Sequence, residues 1–376
     1  MLDLETGAVQ QLGLEGGQPR YLPTGHILYG RDDALWAVPF NVATGQVTGD
    51  PRIVQRRVGV ARISGSVEAT VSDTGTLVYV EAPPSRAHRL VVLDHAGNER
   101  ILREEPGGLH SPRFSPDGER VVAADDNESP WVYELSQRSW APVAAEGSFA
   151  SYAWADDQTI TYSVGTALFS LRIDGRGRPQ ELWKSEHGLL HPLDWSPDGT
   201  MLAFQEKSPE TGADIWLLKI EEGGTRGAAP FRNTEYAEED ARFSPDGQWI
   251  AYNSNEHGSL QVYLTSVSQP SSHYPVSGSS QTTAPMWSPD SRRLYFRLGV
   301  NMMVADVDTD DGVSIGEPRI LFGLARSYFT GYVPSFDISP DGETFITIDT
   351  ELHVPRTLRV VVDWFEHVRR QFQPGG

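Results

Sequence analysis

His110, His191 and Glu239 share one address: each lies five positions before the serine of a recurring pentapeptide, at Ser115, Ser196 and Ser244. Two imidazoles and a carboxylate at one place in successive repeats could hold a divalent metal or divide acid and base work, because both groups ligate metals and exchange protons. His187, Glu238 and Asp240 are close in sequence and extend the set. A shared ion needs ligands within roughly 2.1 Å. The chemistry therefore depends on how the repeats are arranged in space.

The pentapeptide is Phe114-Ser115-Pro116-Asp117-Gly118, and it returns as Trp195-Ser196-Pro197-Asp198-Gly199, Phe243-Ser244-Pro245-Asp246-Gly247, Trp287-Ser288-Pro289-Asp290-Ser291 and Ile338-Ser339-Pro340-Asp341-Gly342. Degenerate copies stand at 21–25, 71–75 and 154–158. Proline presets the first central position of a tight turn, Asp tolerates the next, and Gly supplies the positive φ that follows. Each copy reads as a hairpin turn. Apolar runs such as Trp249-Ile-Ala-Tyr252 and Met201-Leu-Ala-Phe204 follow the turns, a third run such as Ile215-Trp-Leu-Leu218 comes next, and a weaker fourth such as Glu181-Leu-Trp183 closes the unit.

Copies 40 to 51 residues apart match the length of a four-stranded propeller blade. The spacing predicts an all-β chain folded as a single propeller over 1–366, with eight blades and seven as the runner-up, followed by a C-terminal tail at 367–376. Leu358–Val362 would be the third strand of the last blade and Leu90–Leu93 the third strand of the second. Leu2–Leu12 reads as a lone outer strand that completes the final blade, a closure that removes exposed sheet edges. In such a ring, equivalent positions share one height about the axis, so His110, His191 and Glu239 would converge at one mouth of the channel. Polar residues lining a wet channel are the competing account of the same three.

Composition narrows the partners. Fifty-one acidic residues against 31 basic give a formal charge of −20, which repels phosphate backbones and anionic lipid, and no basic patch offsets it. Nucleic acid is excluded as a partner. No apolar run approaches the eighteen or so residues that span a bilayer, and no basic, apolar leader opens the chain. The absence of Cys removes disulfides, thiolate metal sites and cysteine nucleophiles.

Two local patterns imitate chemistry. Gly312-Val-Ser-Ile-Gly316 matches a nucleophile elbow but lies in a connection between strands, where the required strand-to-helix turn has no place. Asp306, Asp308, Asp310 and Glu317 imitate a calcium loop, yet the glycine falls at the seventh position instead of the sixth and no flanking helices are expected. The recurring aromatics Phe114, Trp154, Trp195, Phe243 and Trp287 read as packing between neighbouring blades.

The Ser-Pro-Asp-Gly turns resemble the TolB-like, WD40-like propeller repeats of bacteria over essentially the whole chain. Gly25–Arg31 with Trp36–Phe40, Tyr252–Glu256 with Gln261–Tyr263, and Leu358–Glu366 resemble the propeller that lies C-terminal to bacterial serine/threonine kinase domains. That resemblance implies a sensor or interaction module, extracytoplasmic behind a receptor-type kinase, with a protein, peptide or small molecule as ligand. No glycine-rich loop with a strand lysine, His-Arg-Asp or Asp-Phe-Gly appears, so the chain carries no phosphoryl-transfer residues of its own. Two functions follow as expectations: a non-enzymatic binding module, or a metal-dependent lyase or hydrolase built on His110, His191 and Glu239, with Glu238 and His187 beside them.

Overall fold

A computed structural model describes residues 11–60, 66–82, 87–106, 109–125, 129–143, 151–208, 212–221, 226–278, 282–323, 336–350 and 357–373. Side chains explain why the pentapeptide turns. Ser115 Oγ donates to Asp117 Oδ1 (2.5 Å) and accepts from the backbone N–H of Arg120 (3.0 Å), while Asp117 Oδ1 also accepts from the N–H of Glu119 (3.0 Å). The pattern repeats at Ser196, Ser244, Ser288 and Ser339. Each turn thus satisfies its own polar backbone and delivers two antiparallel strands in register. All eight expected turn sites, including the degenerate ones, join the first two strands of a sheet.

The chain divides into two compact units, Arg86–Leu352 and Met1–Ser85 with His353–Gly376. The larger holds six sheets of four or five strands. Their first strands are Leu109–Phe114, Tyr152–Asp156, Leu189–Trp195, Glu238–Phe243, Thr282–Trp287 and Phe336–Ile338. Contacts link these strands in cyclic order, and the last touches the first, so the six sheets form a closed ring. The closing sheet joins the two ends of this unit: Phe336–Ile338 and Thr344–Thr350 pair onward with Ala87–Asp94 and Glu99–Pro106. Apolar clusters between sheets supply the adhesion, for example Val122, Val132, Trp154, Ile160 and Tyr162.

This pairing corrects the expected order. The Leu90–Leu93 run lies beside Thr344–Thr350, not in the sheet of the 71–75 turn, and Leu358–Val361 pairs instead with Leu77–Val80. A sheet carrying the 338–342 turn is therefore followed around the ring by the one carrying Phe114. Six sheets, rather than eight or seven, make the ring, and Ala87–Pro106 closes it where the N-terminal strand was expected. Of that strand, residues 1–10 lie outside the described residues.

The smaller unit has two sheets, one of five strands over Gly17–Arg56 and one of Ala69–Val71, Leu77–Val80 and Leu358–Val361. Its helix Trp364–Gln371 buries Trp364, Phe365 and Val368 against Leu22, Leu28, Leu35, Val54, Val71 and Leu77. The segment from 367, expected as a tail, is in large part this helix, and His367 Nε2 donates to Val54 O at 3.1 Å. Arg369 and Arg370 stay exposed at the helix end, as a solvated C-terminal turn should. No helix among the described residues is long and apolar enough to cross a membrane.

Candidate functional site

The first strands of four ring sheets carry a local irregularity that decides which side chains share a surface. Positions three apart on a regular strand face opposite sides. Here the register slips between His110 and Arg113, Pro192 and Asp194, Glu239 and Arg242, and Thr283 and Met286. His110 and Arg113 are opposite Ala124 and Val122, two residues apart on the neighbouring strand, so both stand on one side of the sheet. Glu239 and Arg242, opposite Asn253 and Ala251, do the same. The bulge residues Ser111 and Asp240 take positive φ, 54° and 56°, which is how an extra residue is absorbed while a side chain is re-aimed.

Two positions before the motif serine, this geometry gathers a belt of charge from four sheets. Arg113 Nη1 lies 3.7 Å from Asp337 Oδ1, Arg242 Nη2 lies 3.9 Å from the same oxygen, and Arg242 Nη1 lies 3.7 Å from Asp194 Oδ1. These side chains are largely buried. Three carboxylates of the ring each accept a backbone N–H from the next sheet: Asp337 Oδ2 from Phe114 (2.8 Å), Asp194 Oδ2 from Phe243 (2.9 Å), and Asp240 from Ala284. Trp154 Nε1 and Trp287 Nε1 donate in the other direction, to Arg113 O (3.3 Å) and Arg242 O (3.2 Å). The recurring tryptophans thus pack and hydrogen-bond between neighbouring sheets.

Burial controls the protonation of this region. It pushes Asp194 up to about 7 against the opposing pull of the Phe243 N–H and Arg113, and Asp240 to about 6 against Arg113. Burial likewise holds Asp337 above the ordinary carboxylate range. Glu239 is pushed up to about 7 by burial and then by Asp240, with Lys207 opposing. Burial, then Lys207, lowers His191. An imidazole held toward its neutral form and three carboxyl groups that change charge between about pH 6 and 7 therefore share this stretch of the ring.

The expected site residues separate into three environments. His110, His191 and Glu239 are half-buried on equivalent strands, as their shared offset requires, with His110 Nδ1 3.3 Å from Ser111 Oγ. Glu238 is fully buried and turned to Thr234, whose Oγ1 and N–H both donate to its carboxylate. His187 is exposed on the connection after Gln180–Lys184, where its N–H donates to Ser185 Oγ at 3.0 Å. Among the described residues no three His, Asp or Glu side chains gather closely enough to hold a metal ion. In the calcium-loop imitation, Asp306 pairs with Arg319 (2.8 Å) and Asp310 with Arg292 (2.9 Å). Ser314 sits on a two-residue strand beside Val307 and Asp308 and has no elbow around it.

The belt itself was not anticipated. Its signal was present, since Arg113, Asp194, Arg242 and Asp337 all stand two places before a motif serine and alternate in sign along the chain.

No family model matches the chain. An uncharacterized protein of Agrobacterium fabrum is 25% identical over 272 residues, covering 65% of this chain and 86% of that protein. Dipeptidyl-peptidase 5 of Porphyromonas gingivalis is 21% identical over 300 residues and 70% of this chain, which spans only 42% of that relative's length. Among solved structures, a putative TolB from Agrobacterium tumefaciens superposes with a TM-score of 0.55 at 19% identity, over 71% of this chain and 99% of that one. The fold is a TolB-like β-propeller.

Proposed function

We propose that the chain is a non-enzymatic binding module, and that its ligand enters the axial opening of the six-sheet ring beside His110, His191 and Glu239. The supporting observation is the register shift ahead of the turn motif in four of the six first strands. It turns ionisable groups from several sheets to a shared side, while the Ser and Asp of the five Ser-Pro-Asp turns are committed to their own backbone. A peptide is the ligand class that fits best: the opening offers mixed charge and hydrogen bonding, and the dipeptidyl-peptidase relative acts, by its name, on peptides. The lyase or hydrolase alternative needs a ligand set or acid–base pair in contact, and no observation favours it over binding. The resemblance to kinase-linked propellers extends the proposal to a sensor region outside the cytoplasm.

The test is a peptide array probed with the purified protein and with its His191→Ala and Glu239→Ala variants. The reading expects a subset of peptides to be retained and lost in both variants, whose melting temperatures stay near that of the parent. Retention that ignores both substitutions would place the ligand elsewhere and end the axial reading.

A further inference from the structure

We propose that Glu239, Asp240 and Asn253 form a subsite for an organic cation, the ammonium or guanidinium of a lysine or arginine side chain, within the axial opening. This inference rests on the binding-module reading and names the chemistry that its ligand must carry.

Three observations converge on it. Consecutive residues normally point to opposite sides of a strand, but Asp240 is the bulge residue, with φ 56°, and its charge is felt directly by Glu239. The two carboxyls are thereby neighbours. Asn253 stands opposite Glu239 on the adjoining strand and donates through Nδ2 to Asp240 Oδ2 at 2.8 Å. That bond fixes the amide, and Asn253 Oδ1, in a fully buried residue, has no hydrogen-bond partner. A buried acceptor with no donor costs stability, and a ligand N–H is the group that would satisfy it.

Charge balance points the same way. In the belt Arg113 and Arg242 face Asp194 and Asp337, and Arg113 also acts on Asp240, so neither arginine is spared for Glu239. Lys207 is the nearest cation to Glu239 and lowers its proton affinity, yet Lys207 is exposed and forms no ion pair among the described residues. His191, on the first strand of the neighbouring sheet, is held toward its neutral form by burial. An ammonium brings three donors to two carboxyls and one amide oxygen, which is the complement of this set. A cation held here also favours ionised Glu239 and Asp240, so binding should release protons near pH 6.5.

The experiment is titration calorimetry with three probes: acetyl-Gly-Lys-Gly-amide, its norleucine counterpart, which lacks only the charged nitrogen, and n-butylamine. The lysine probe should bind at least about tenfold more tightly than the norleucine probe, the factor expected for one charge-assisted hydrogen bond. Glu239→Gln should remove that preference without lowering the melting temperature, since it deletes a poorly solvated carboxyl. Lys207→Ala should strengthen binding by removing the competing cation. Glu119→Gln and Glu343→Gln, on exposed turns, should change nothing, which separates this subsite from general attraction to an acidic protein. Equal binding of lysine and norleucine probes, both lost in His191→Ala, would overturn the cation subsite and leave the binding module standing. Binding of no probe would overturn both, and butylamine matching the lysine peptide would make the natural ligand a free amine.

Discussion

Asp337 and Phe114 are 223 positions apart in sequence, yet Asp337 Oδ2 accepts the backbone N–H of Phe114 at 2.8 Å and so joins the last first-strand of the ring to the first. The same carboxyl faces Arg113 and Arg242, whose Nη1 and Nη2 have no hydrogen-bond partner of their own. Asp337→Ala should therefore do two kinds of damage. It frees a backbone donor at the closure and leaves two guanidinium groups beside one fewer carboxylate, a loss of about 3 kcal/mol for breaking a buried pair. Denaturant unfolding of the variant checks this, and a change below about 1 kcal/mol would show that the closure does not depend on the staple.

The turns stack, and two glycines separate conformation from contact. Gly199 and Gly342 both have φ near +70°, at 70° and 76°, but a Cβ at Gly199 would meet nothing within 4 Å, whereas one at Gly342 would lie 2.8 Å from Pro289 Cδ of the neighbouring sheet. Gly199→Ala should cost about 1 kcal/mol for the left-handed backbone alone. Gly342→Ala should cost clearly more, because the adjacent turn must move. Equal losses in urea unfolding would mean that Pro289 yields freely.

Stability should pass through a maximum in mildly acidic solution. Hydrogen bonds from the motif serines and turn N–H groups hold Asp198, Asp290 and Asp341 below the usual range, and the same turn contacts outweigh burial at Asp117. Their stabilisation is complete above the unfolded-state value near 4 and fades as pH falls through the lower folded values. Asp194, Asp240 and Glu239 have the opposite sign: their folded values of about 7, 6 and 7 exceed the unfolded ones, so the native state binds more protons and stability declines from about pH 4 to 7. Melting temperature measured from pH 3 to 8 should rise and then fall, and Glu239→Gln should flatten the falling limb only. A monotonic rise to pH 8 would contradict the buried placement of these carboxyls.

The larger unit closes on itself through the pairing of Thr344–Thr350 with Ala87–Asp94. Residues 86–352 expressed alone should fold with a cooperative thermal transition and a β-rich circular dichroism spectrum. Substituting Phe345, fully buried beside Tyr295 and Phe322 in this closing region, by Ala should cost about 3 to 5 kcal/mol in that fragment. A fragment without a cooperative transition would show that the ring needs the remaining chain.

Much of the fold was legible in the sequence because its signal is local. A Ser, a Pro, an Asp and a Gly within five residues make a turn through their own hydrogen bonds and φ preferences, whatever surrounds them, and the apolar runs on either side can only be strands. Even the degenerate sites at 21–25, 71–75 and 154–158 are turns between first and second strands. The equivalence of His110, His191 and Glu239 was legible for the same reason, as a constant offset from a constant turn.

Two things were decided only in three dimensions. One is which strand joins which sheet: Leu90–Leu93 and Leu358–Val361 are both short and rich in Leu and Val, so either suits either sheet by local preference, and the choice falls to long-range pairing and packing. The other is the surface that the ionisable residues share. A period of two puts Glu239 and Arg242 on opposite sides, and no local signal in the sequence announces the bulge at Asp240 that brings them together. The sequence determined the turns, the strands and the repeat, because those are properties of a few neighbouring residues. Tertiary structure determined the ring of six and the charged belt within it, because both depend on where a strand finds its partner.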